Sequence, residues 1–195
     1  MQPEKSLDRL KRCWWLEESD TLMTEYHDNE WGIPLHDDRR LFEVLILDGA
    51  QAGLSWRTIL NKRENYRKAF DDFDVKKVAA YGVKKTQALL HDKGIVRNKL
   101  KIASAVRNAK VFMDIQKEFG SFDVYIWKFV SGKPIQNKWK RMSDLPAHTE
   151  LSDTISKDLK RRGMNFVGST IIYAIMQTIG IVNDHREGCF KYNKL

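Results

Sequence analysis

Apolar residues recur along the chain at helical spacing, most clearly in the stretch before a pair of closely spaced glycines. Its apolar positions repeat every three to four residues: Leu41, Phe42, Leu45 and Ile46. This period is typical of a helix with one face in a protein core. Asp37 or Asp38 can cap the first turn, and Gly49 and Gly53 bracket the end. The pattern predicts a helix that carries Asp48 in its last turns.

Further capped and periodic segments predict a chain of many helices. They run from Ser55 to Phe70, from Asp74 to near Gly82, up to Gly94, from about Arg97 to Phe119, from Ser121 through the following nine residues, from Ser152 to Gly163 and up to Gly180. No stretch alternates regularly enough to predict a strand. We therefore predict an all-α fold, with one domain over residues 13–195 behind a flexible N-terminal extension over residues 1–12.

The sequence GIVRNK between two of the predicted helices is a candidate phosphate-binding hairpin. Gly94 is expected in the left-handed conformation that often ends a helix, and Arg97 and Lys99 open the next one. The backbone amides and basic side chains of a helix-hairpin-helix can bind a phosphate group, so all three residues are candidate DNA contacts. An ordinary helical turn explains the same pattern, because turn glycines are common.

Composition and charge indicate which kinds of binding partner to expect. A chain of 195 residues with 42% hydrophobic residues suits a globular fold, and its net charge of +8 favours an anionic partner. Nucleic acid ranks ahead of a membrane because no long apolar span is present, although solvated lysine faces also explain the charge. Charged residues occupy the start of the chain, where a secretory signal needs an apolar run, so a cytoplasmic location is expected.

The two cysteines of the chain and two of its histidines form a candidate metal site: Cys13, His27, His185 and Cys189. Zinc favours thiolate and imidazole ligands in a closed tetrahedral site, which leaves no position for an activated water. The H-x-x-x-C spacing at the end of the chain can place both side chains on one face of a helical turn. A structural zinc would then tie the two ends of the chain together. The open alternatives are a disulfide and four residues that bind no metal.

Aromatic residues flank the helix that carries Asp48. A cleft walled by Tyr26, Trp31 and Trp56, with a carboxylate at its floor, can stack and neutralise a planar cationic ring. Purines alkylated on a ring nitrogen fit this description. The same rings are equally typical of a hydrophobic core. A metal bound to His27 would also hold the adjacent Tyr26 in place.

Five motifs in one chain give a more specific indication. YHDNEWG, QAGLSW, GIVRNKLKI, RGMNFVGSTIIYAIMQ and NDHREGC closely resemble the DNA-3-methyladenine glycosylase I (Tag) family, over about residues 13–189. The resemblance implies an all-helical member of the helix-hairpin-helix glycosylase superfamily that excises 3-methyladenine from alkylated double-stranded DNA. It implies a structural zinc on Cys13, His27, His185 and Cys189, and a base-binding pocket formed by Tyr26, Trp31, Asp48 and Trp56.

The reaction that the resemblance implies needs little activation by the protein. This family lacks the aspartate that activates the nucleophile elsewhere in the superfamily, and a methylated base is already a good leaving group. The enzyme need only flip the base, recognise it and stabilise positive charge developing on the sugar. Gly53, Leu54 and Ser55 in the QAGLSW loop are the implied contacts to the vacated space in the duplex, with Leu54 as the wedge.

Two positions depart from the family pattern. Asp48 stands where the family usually has glutamate, so the carboxylate oxygens retract by roughly 1 to 1.5 Å. Met23 replaces a tyrosine found upstream of YHD, although its thioether can still pack on a base. Either the pocket floor has moved inwards, a water bridges the gap, or activity is reduced.

These observations predict a monofunctional glycosylase with Asp48 as its catalytic residue. No motif places a lysine as a Schiff-base nucleophile, so lyase activity is not predicted. We expect a monomer with no nucleotide cofactor and no membrane partner. The alternative is a catalytically weak or inactive damaged-DNA binding module of the same fold. A zinc hydrolase of small molecules would need an open position on the metal.

Overall fold

The computed structural model describes residues 10–17 and 19–194, and this part of the chain is mostly helical. Its α-helices are α1 Thr21–Asn29, α2 Asp38–Gln51, α3 Trp56–Ala69, α4 Val75–Ala79, α5 Val83–His91, α6 Lys99–Phe119, α7 Phe122–Trp127, α8 Glu150–Arg161 and α9 Ser169–Thr178. Short 3-10 turns cover Asp71–Phe73, Lys128–Val130 and Met142–Asp144. Two residues of β1, Ile135–Gln136, pair in parallel with β2, Val182–Asn183. Strands this short show no alternation, which is why the sequence predicted none.

Helix α2 lies at the centre of the fold. Every residue from Leu41 to Ala50 is buried, because α3, α6, α7 and α9 surround the helix. A helix enclosed on all sides must also bury its polar side chains, which are costly there without partners. Glu43 is paired with Arg67 at 2.8 Å. Asp48 has no such ion pair among the described residues.

Most predicted helix starts are confirmed. Asp37 caps α2 by accepting from the Arg40 amide at 2.8 Å, and Ser55 caps α3. The predicted cap Ser152 is wrong for α8, which begins earlier, at the cap Thr149. Thr149 and Ser152 form a reciprocal capping box, in which each side-chain hydroxyl accepts from the other residue's amide. Both residues have capping chemistry, and the helix uses the first.

The hairpin before α6 differs from the prediction in its details. Helix α5 ends at His91 and not at Gly94, and α6 begins at Lys99 under the cap Asn98. Gly94 does not adopt a positive φ. A glycine is needed because an added Cβ would lie 2.9 Å from Asp92 Oδ1 and 3.0 Å from the Cβ of Asn65 in α3.

The two ends of the described chain meet. Residues 1–9 of the predicted flexible extension lie outside the described residues. Within the rest of it, the Lys11 carbonyl accepts from the Phe190 amide at 2.9 Å, and Arg12 pairs with Asp28 at 2.7 Å. Among the described helices, none is long and apolar enough to cross a bilayer.

Candidate active site and metal centre

A cavity of about 210 Å³ lies beside the last turn of α2, and we call it the aromatic cavity. Its lining residues are Trp15, Met23, Tyr26, Trp31, Asp48, Gln51, Trp56, Leu145, Ala174 and Gln177. Pockets for drug-sized ligands usually enclose ~300–1,000 Å³, so this volume suits a single heterocycle and not a whole nucleotide. The structure thus brings together all four residues predicted to bind a base.

The rings of Tyr26 and Trp56 are inclined to each other and lie too close together to hold a base between them. The ring centroids of Tyr26 and Trp56 are 5.4 Å apart, with the planes tilted by 52°. A planar ligand stacked between two rings needs them about 7–8 Å apart, since each contact takes ~3.5–4 Å. Tyr26 is fixed by a 2.9 Å hydrogen bond between its hydroxyl and Thr178 Oγ1. A sandwich therefore requires Trp56, the half-buried first residue of α3, to swing outward.

Two polar atoms beside the cavity have no partner within the described structure. They are Asp48 Oδ2 and Trp56 Nε1, and both are fully buried. Leaving such groups unpaired typically costs ~1–3 kcal/mol each. Burial also raises the pKa of Asp48 well above its ordinary value, which favours the protonated acid. A ligand that supplied hydrogen bonds or a positive charge here would relieve both penalties.

Several lining residues were missed by the sequence reasoning. Trp15 packs edge-on against Trp31 at a centroid distance of 5.1 Å, and its position two residues after Cys13 was an available signal. Ala174 and Gln177 are three residues apart on α9, which places both on one face. Leu145 belongs to the irregular segment before α8, where no pattern indicates a contact.

The four predicted metal ligands also converge. The donor atoms of Cys13, His27, His185 and Cys189 all lie within 4.8 Å of one another, and we call these residues the Cys/His cluster. Cys13 Sγ lies 3.4 Å from His185 Nδ1, and Cys189 Sγ lies 3.6 Å from His27 Nε2. Ligand atoms around a tetrahedral zinc are separated by about 3.3–3.8 Å. The arrangement therefore fits a closed tetrahedral metal site.

The histidine rings have the orientation that a metal requires. His27 Nδ1 lies 2.7 Å from Asp28 Oδ1 and His185 Nε2 lies 3.1 Å from the Trp31 carbonyl, so each of these nitrogens donates a proton outward. The other nitrogen of each ring then presents its lone pair to the cluster. Burial raises the pKa of Asp28, but hydrogen bonds from Arg12 and His27 outweigh it and lower the pKa overall.

The two cysteines are not joined in a disulfide. The hydrogen bond between them raises the pKa of Cys13 and lowers the pKa of Cys189, so one thiolate is favoured. His185 and Cys189 are joined by a turn after β2, in which the Cys189 amide donates to the Arg186 carbonyl at 3.0 Å. The predicted helical turn is therefore wrong, although the spacing still brings the two side chains together.

The predicted DNA contacts lie at adjoining helix ends. Gly53 has a φ of +78° with open space around it, and Leu54 is 39% exposed. Arg97 and Lys99 are exposed at the start of α6. Lys101, in the same turn of α6, donates to the Ala50 carbonyl at 2.8 Å and to the Ala52 carbonyl. This side chain joins the hairpin region to the end of α2, next to Gly53, Leu54 and Ser55.

Comparison with known proteins supports this architecture. A family model described as methyladenine glycosylase matches residues 15–192. DNA-3-methyladenine glycosylase 1 of Escherichia coli is 44% identical over 183 residues, which cover 94% of this chain and 97% of the relative. A Haemophilus influenzae DNA-3-methyladenine glycosylase is 43% identical over 91% of this chain and 96% of its own. The solved structure of 3-methyladenine DNA glycosylase I from Staphylococcus aureus aligns with a TM-score of 0.91, at 33% identity over 95% of this chain and 98% of its own.

Proposed function

Since the chain belongs to the methyladenine glycosylase family, we propose that it hydrolyses the N-glycosidic bond of 3-methyladenine in alkylated double-stranded DNA. The observation that carries this proposal is the aromatic cavity. Beside it, the buried atoms Asp48 Oδ2 and Trp56 Nε1 have no hydrogen-bond partner among residues 10–17 and 19–194. The relatives named above are DNA-3-methyladenine glycosylases, and a related solved structure is a complex with 3-methyladenine.

The reaction couples base flipping to charge neutralisation. A 3-methylated adenine in DNA carries a positive charge, so its entry into the cavity favours ionisation of Asp48. The bond between the base and the sugar then breaks, the base leaves as neutral 3-methyladenine, and a water oxygen bonds to the sugar carbon and releases a proton. Tyr26 and Trp56 stack on the base, and Trp31 shapes the wall. The product in DNA is an abasic site.

The duplex would be held at the adjoining ends of α2 and α6. In this proposal Leu54 fills the space left by the flipped base, and Gly53 and Ser55 let the backbone approach closely. Gly94, Arg97 and Lys99 bind the phosphate backbone. Their position next to the aromatic cavity, through the contacts of Lys101, supports this division of roles.

The Cys/His cluster is proposed to bind one structural Zn²⁺. Two thiolates and two imidazoles would complete the tetrahedron, so the ion would supply no activated water. Its role would be to join residues near the two ends of the chain, and through His27 to fix the adjacent Tyr26. The zinc hydrolase considered above needs an open coordination position and is not favoured.

The test is the release of free base from DNA treated with a methylating agent, identified by chromatography. We expect 3-methyladenine and an abasic strand from the wild-type protein, and failure to release 3-methyladenine would contradict the proposal. The variant Asp48→Glu distinguishes the glycosylase from the alternative, a damaged-DNA binding module. Base release that appears only in Asp48→Glu would favour that alternative, because the longer glutamate would then be needed for chemistry.

A further inference from the structure

Another buried carboxylate, Asp184, is hydrogen-bonded to Gln177 in the lining of the aromatic cavity and is 2% exposed. Unlike Asp48, it is fully hydrogen-bonded. Its Oδ1 accepts from Asn137 Nδ2 at 2.6 Å and from Trp139 Nε1 at 2.8 Å. Its Oδ2 accepts from the Tyr173 hydroxyl at 2.6 Å and from Gln177 Nε2 at 2.8 Å. An ionised carboxylate accepts hydrogen bonds only, so every partner must present a donor to it.

This requirement fixes the amide of Gln177. The NH₂ end must point to Asp184, and the carbonyl oxygen Oε1 is left as the free polar end. Gln177 is also one of the residues that line the aromatic cavity. A glutamine with two free ends could offer a ligand either a donor or an acceptor. With its NH₂ held by Asp184, the amide cannot turn over, so Oε1 is the end that stays available to accept a hydrogen bond from a ligand.

We infer that Gln177 is a specificity-determining residue that accepts a hydrogen bond from the exocyclic amino group of an adenine-type base, and that Asp184 is the residue that positions it. The inference rests on the proposed function and adds a reason for base selection. Adenine carries an amino group at position 6, where guanine carries a carbonyl oxygen. The fixed Oε1 therefore attracts the adenine edge and repels the guanine edge.

The expected discrimination follows from unpaired polar groups. Guanine methylated at the same ring nitrogen would bring its carbonyl oxygen against Gln177 Oε1, and neither atom could donate. A polar pair that cannot form in a closed pocket is the kind of mismatch that gives strong substrate rejection. The stacking residues cannot provide this selection, since both purines present similar flat faces.

The same hydrogen-bond inventory predicts the effect of Asp184→Asn. Trp139 Nε1 can only donate, so the new amide must keep its oxygen on the Trp139 side. Its NH₂ then faces Tyr173 and Gln177, both of which can accept. Gln177 is expected to turn over, accept through Oε1 and present its NH₂ to the cavity. The substitution should therefore change the preferred base without a change at Gln177 itself.

The test compares release of 3-methyladenine and 3-methylguanine from the same methylated DNA. For Gln177→Met we expect 3-methyladenine release to fall by about ten- to a hundredfold, the usual effect of a lost hydrogen bond to a charged group, while 3-methylguanine release does not fall. Asp184→Asn should lower the ratio of the two products further. Gln116→Met is the matched control, because Gln116 likewise donates to a carboxylate, Asp38 at 2.7 Å, but lies outside the cavity.

The outcomes show whether Gln177 determines base preference or only supports the structure of the pocket. An unchanged product ratio in Gln177→Met, or an equal loss of both products, would overturn the inference while the proposed function stood. Melting temperature and metal content are measured alongside, since Asp184 precedes the cluster residue His185. If Asp184→Asn does not fold, Gln177→Met alone decides. Wild-type protein that released neither base would instead overturn the proposed function.

Discussion

At the scale of a single residue, the burial of Asp48 is unfavourable for folding but suited to binding a cationic ligand. It is fully buried on the central helix, its Oδ2 has no partner within the described residues, and burial raises its pKa. Such a group weakens folding at neutral pH, yet it is suited to receive a cationic ligand. The sequence predicted its place in the pocket, but not its lack of partners, which depends on how the surrounding helices pack.

Asp48→Asn should stabilise the protein in a pH-dependent way. The folded state holds the Asp48 proton more tightly than the unfolded state, where the ordinary pKa is 3.8. The stability linked to this proton is present below about pH 3.8 and is lost as the pH rises through the folded-state pKa. The melting temperature of Asp48→Asn should therefore exceed that of wild type increasingly above pH 4. Asp114→Asn, at an exposed position on α6, should not reproduce the gain.

Asp48→Asn should also release the base more slowly than wild type while binding duplex DNA with nearly the same affinity. Removing the negative charge should reduce the rate of 3-methyladenine release by tenfold or more, since a charge-assisted contact is usually worth ~1.5–3 kcal/mol. Duplex affinity measured by fluorescence anisotropy should change little, because phosphate contacts provide most of it. A large, salt-insensitive loss of binding would contradict the role given to Asp48.

At the scale of elements, one lysine joins the proposed DNA-binding start of α6 to the end of α2 beside the aromatic cavity. Lys101 reaches from the start of α6 to the Ala50 and Ala52 carbonyls at the end of α2, and its burial lowers its pKa. Sequence patterns predicted both helices and their order. They did not predict this contact, because a lysine in a basic helix start is normally assigned to solvent or to phosphate.

Lys101→Met and Lys99→Met should therefore change different properties, the first stability and the second DNA binding. Loss of the Lys101 hydrogen bonds should reduce the free energy of unfolding by about 1–3 kcal/mol in denaturant titrations. Lys99 is exposed two residues earlier, so its replacement should leave stability unchanged and instead weaken duplex binding, lowering the salt-dependence slope by about one. Equal stability of the two variants would show that Lys101 is not a structural tie.

A second element-scale prediction concerns the turn after α9. Gly180 has a φ of +73°, and an added Cβ would lie 2.5 Å from the backbone of Ile33 and Pro34. Gly120 after α6 also has a positive φ, of +90°, but open space around it. Gly120→Ala should cost only the ~1–2 kcal/mol of a left-handed alanine, whereas Gly180→Ala should cost clearly more. Similar melting temperatures for the two variants would contradict the close approach.

At the scale of the whole molecule, the Cys/His cluster joins segments that are 172 residues apart, as in the Cys13 and His185 contact. The sequence predicted the four residues because they include the only cysteines. It could not show the outward hydrogen bond from His185 to the Trp31 carbonyl, which lies 154 residues away in the sequence. The same holds for Trp15 and Leu145, which reach the aromatic cavity only after the ends and the irregular segment have packed.

Metal removal should destabilise the molecule as a whole. A cross-link that closes so long a loop is worth roughly 4–5 kcal/mol by loop-entropy arguments. Chelation should therefore lower the melting temperature of wild type strongly, and should have little further effect on Cys189→Ala, which we expect to lack the metal. Base release by Cys189→Ala at low temperature should be affected less than stability. Loss of activity with unchanged melting temperature and metal content would exclude a structural role.

The central claim, that a 3-methylated purine binds between the aromatic side chains and Asp48, is tested most directly by NMR titration with the released base, free 3-methyladenine. Trp56 Nε1 is buried with no hydrogen-bond partner among the described residues. Its signal can be assigned with Trp56→Phe. We predict a saturable shift of that signal as the ring moves and gains a partner, with no comparable shift in Asp48→Asn. A Trp56 signal that stays unchanged while 3-methyladenine binds elsewhere would contradict the account.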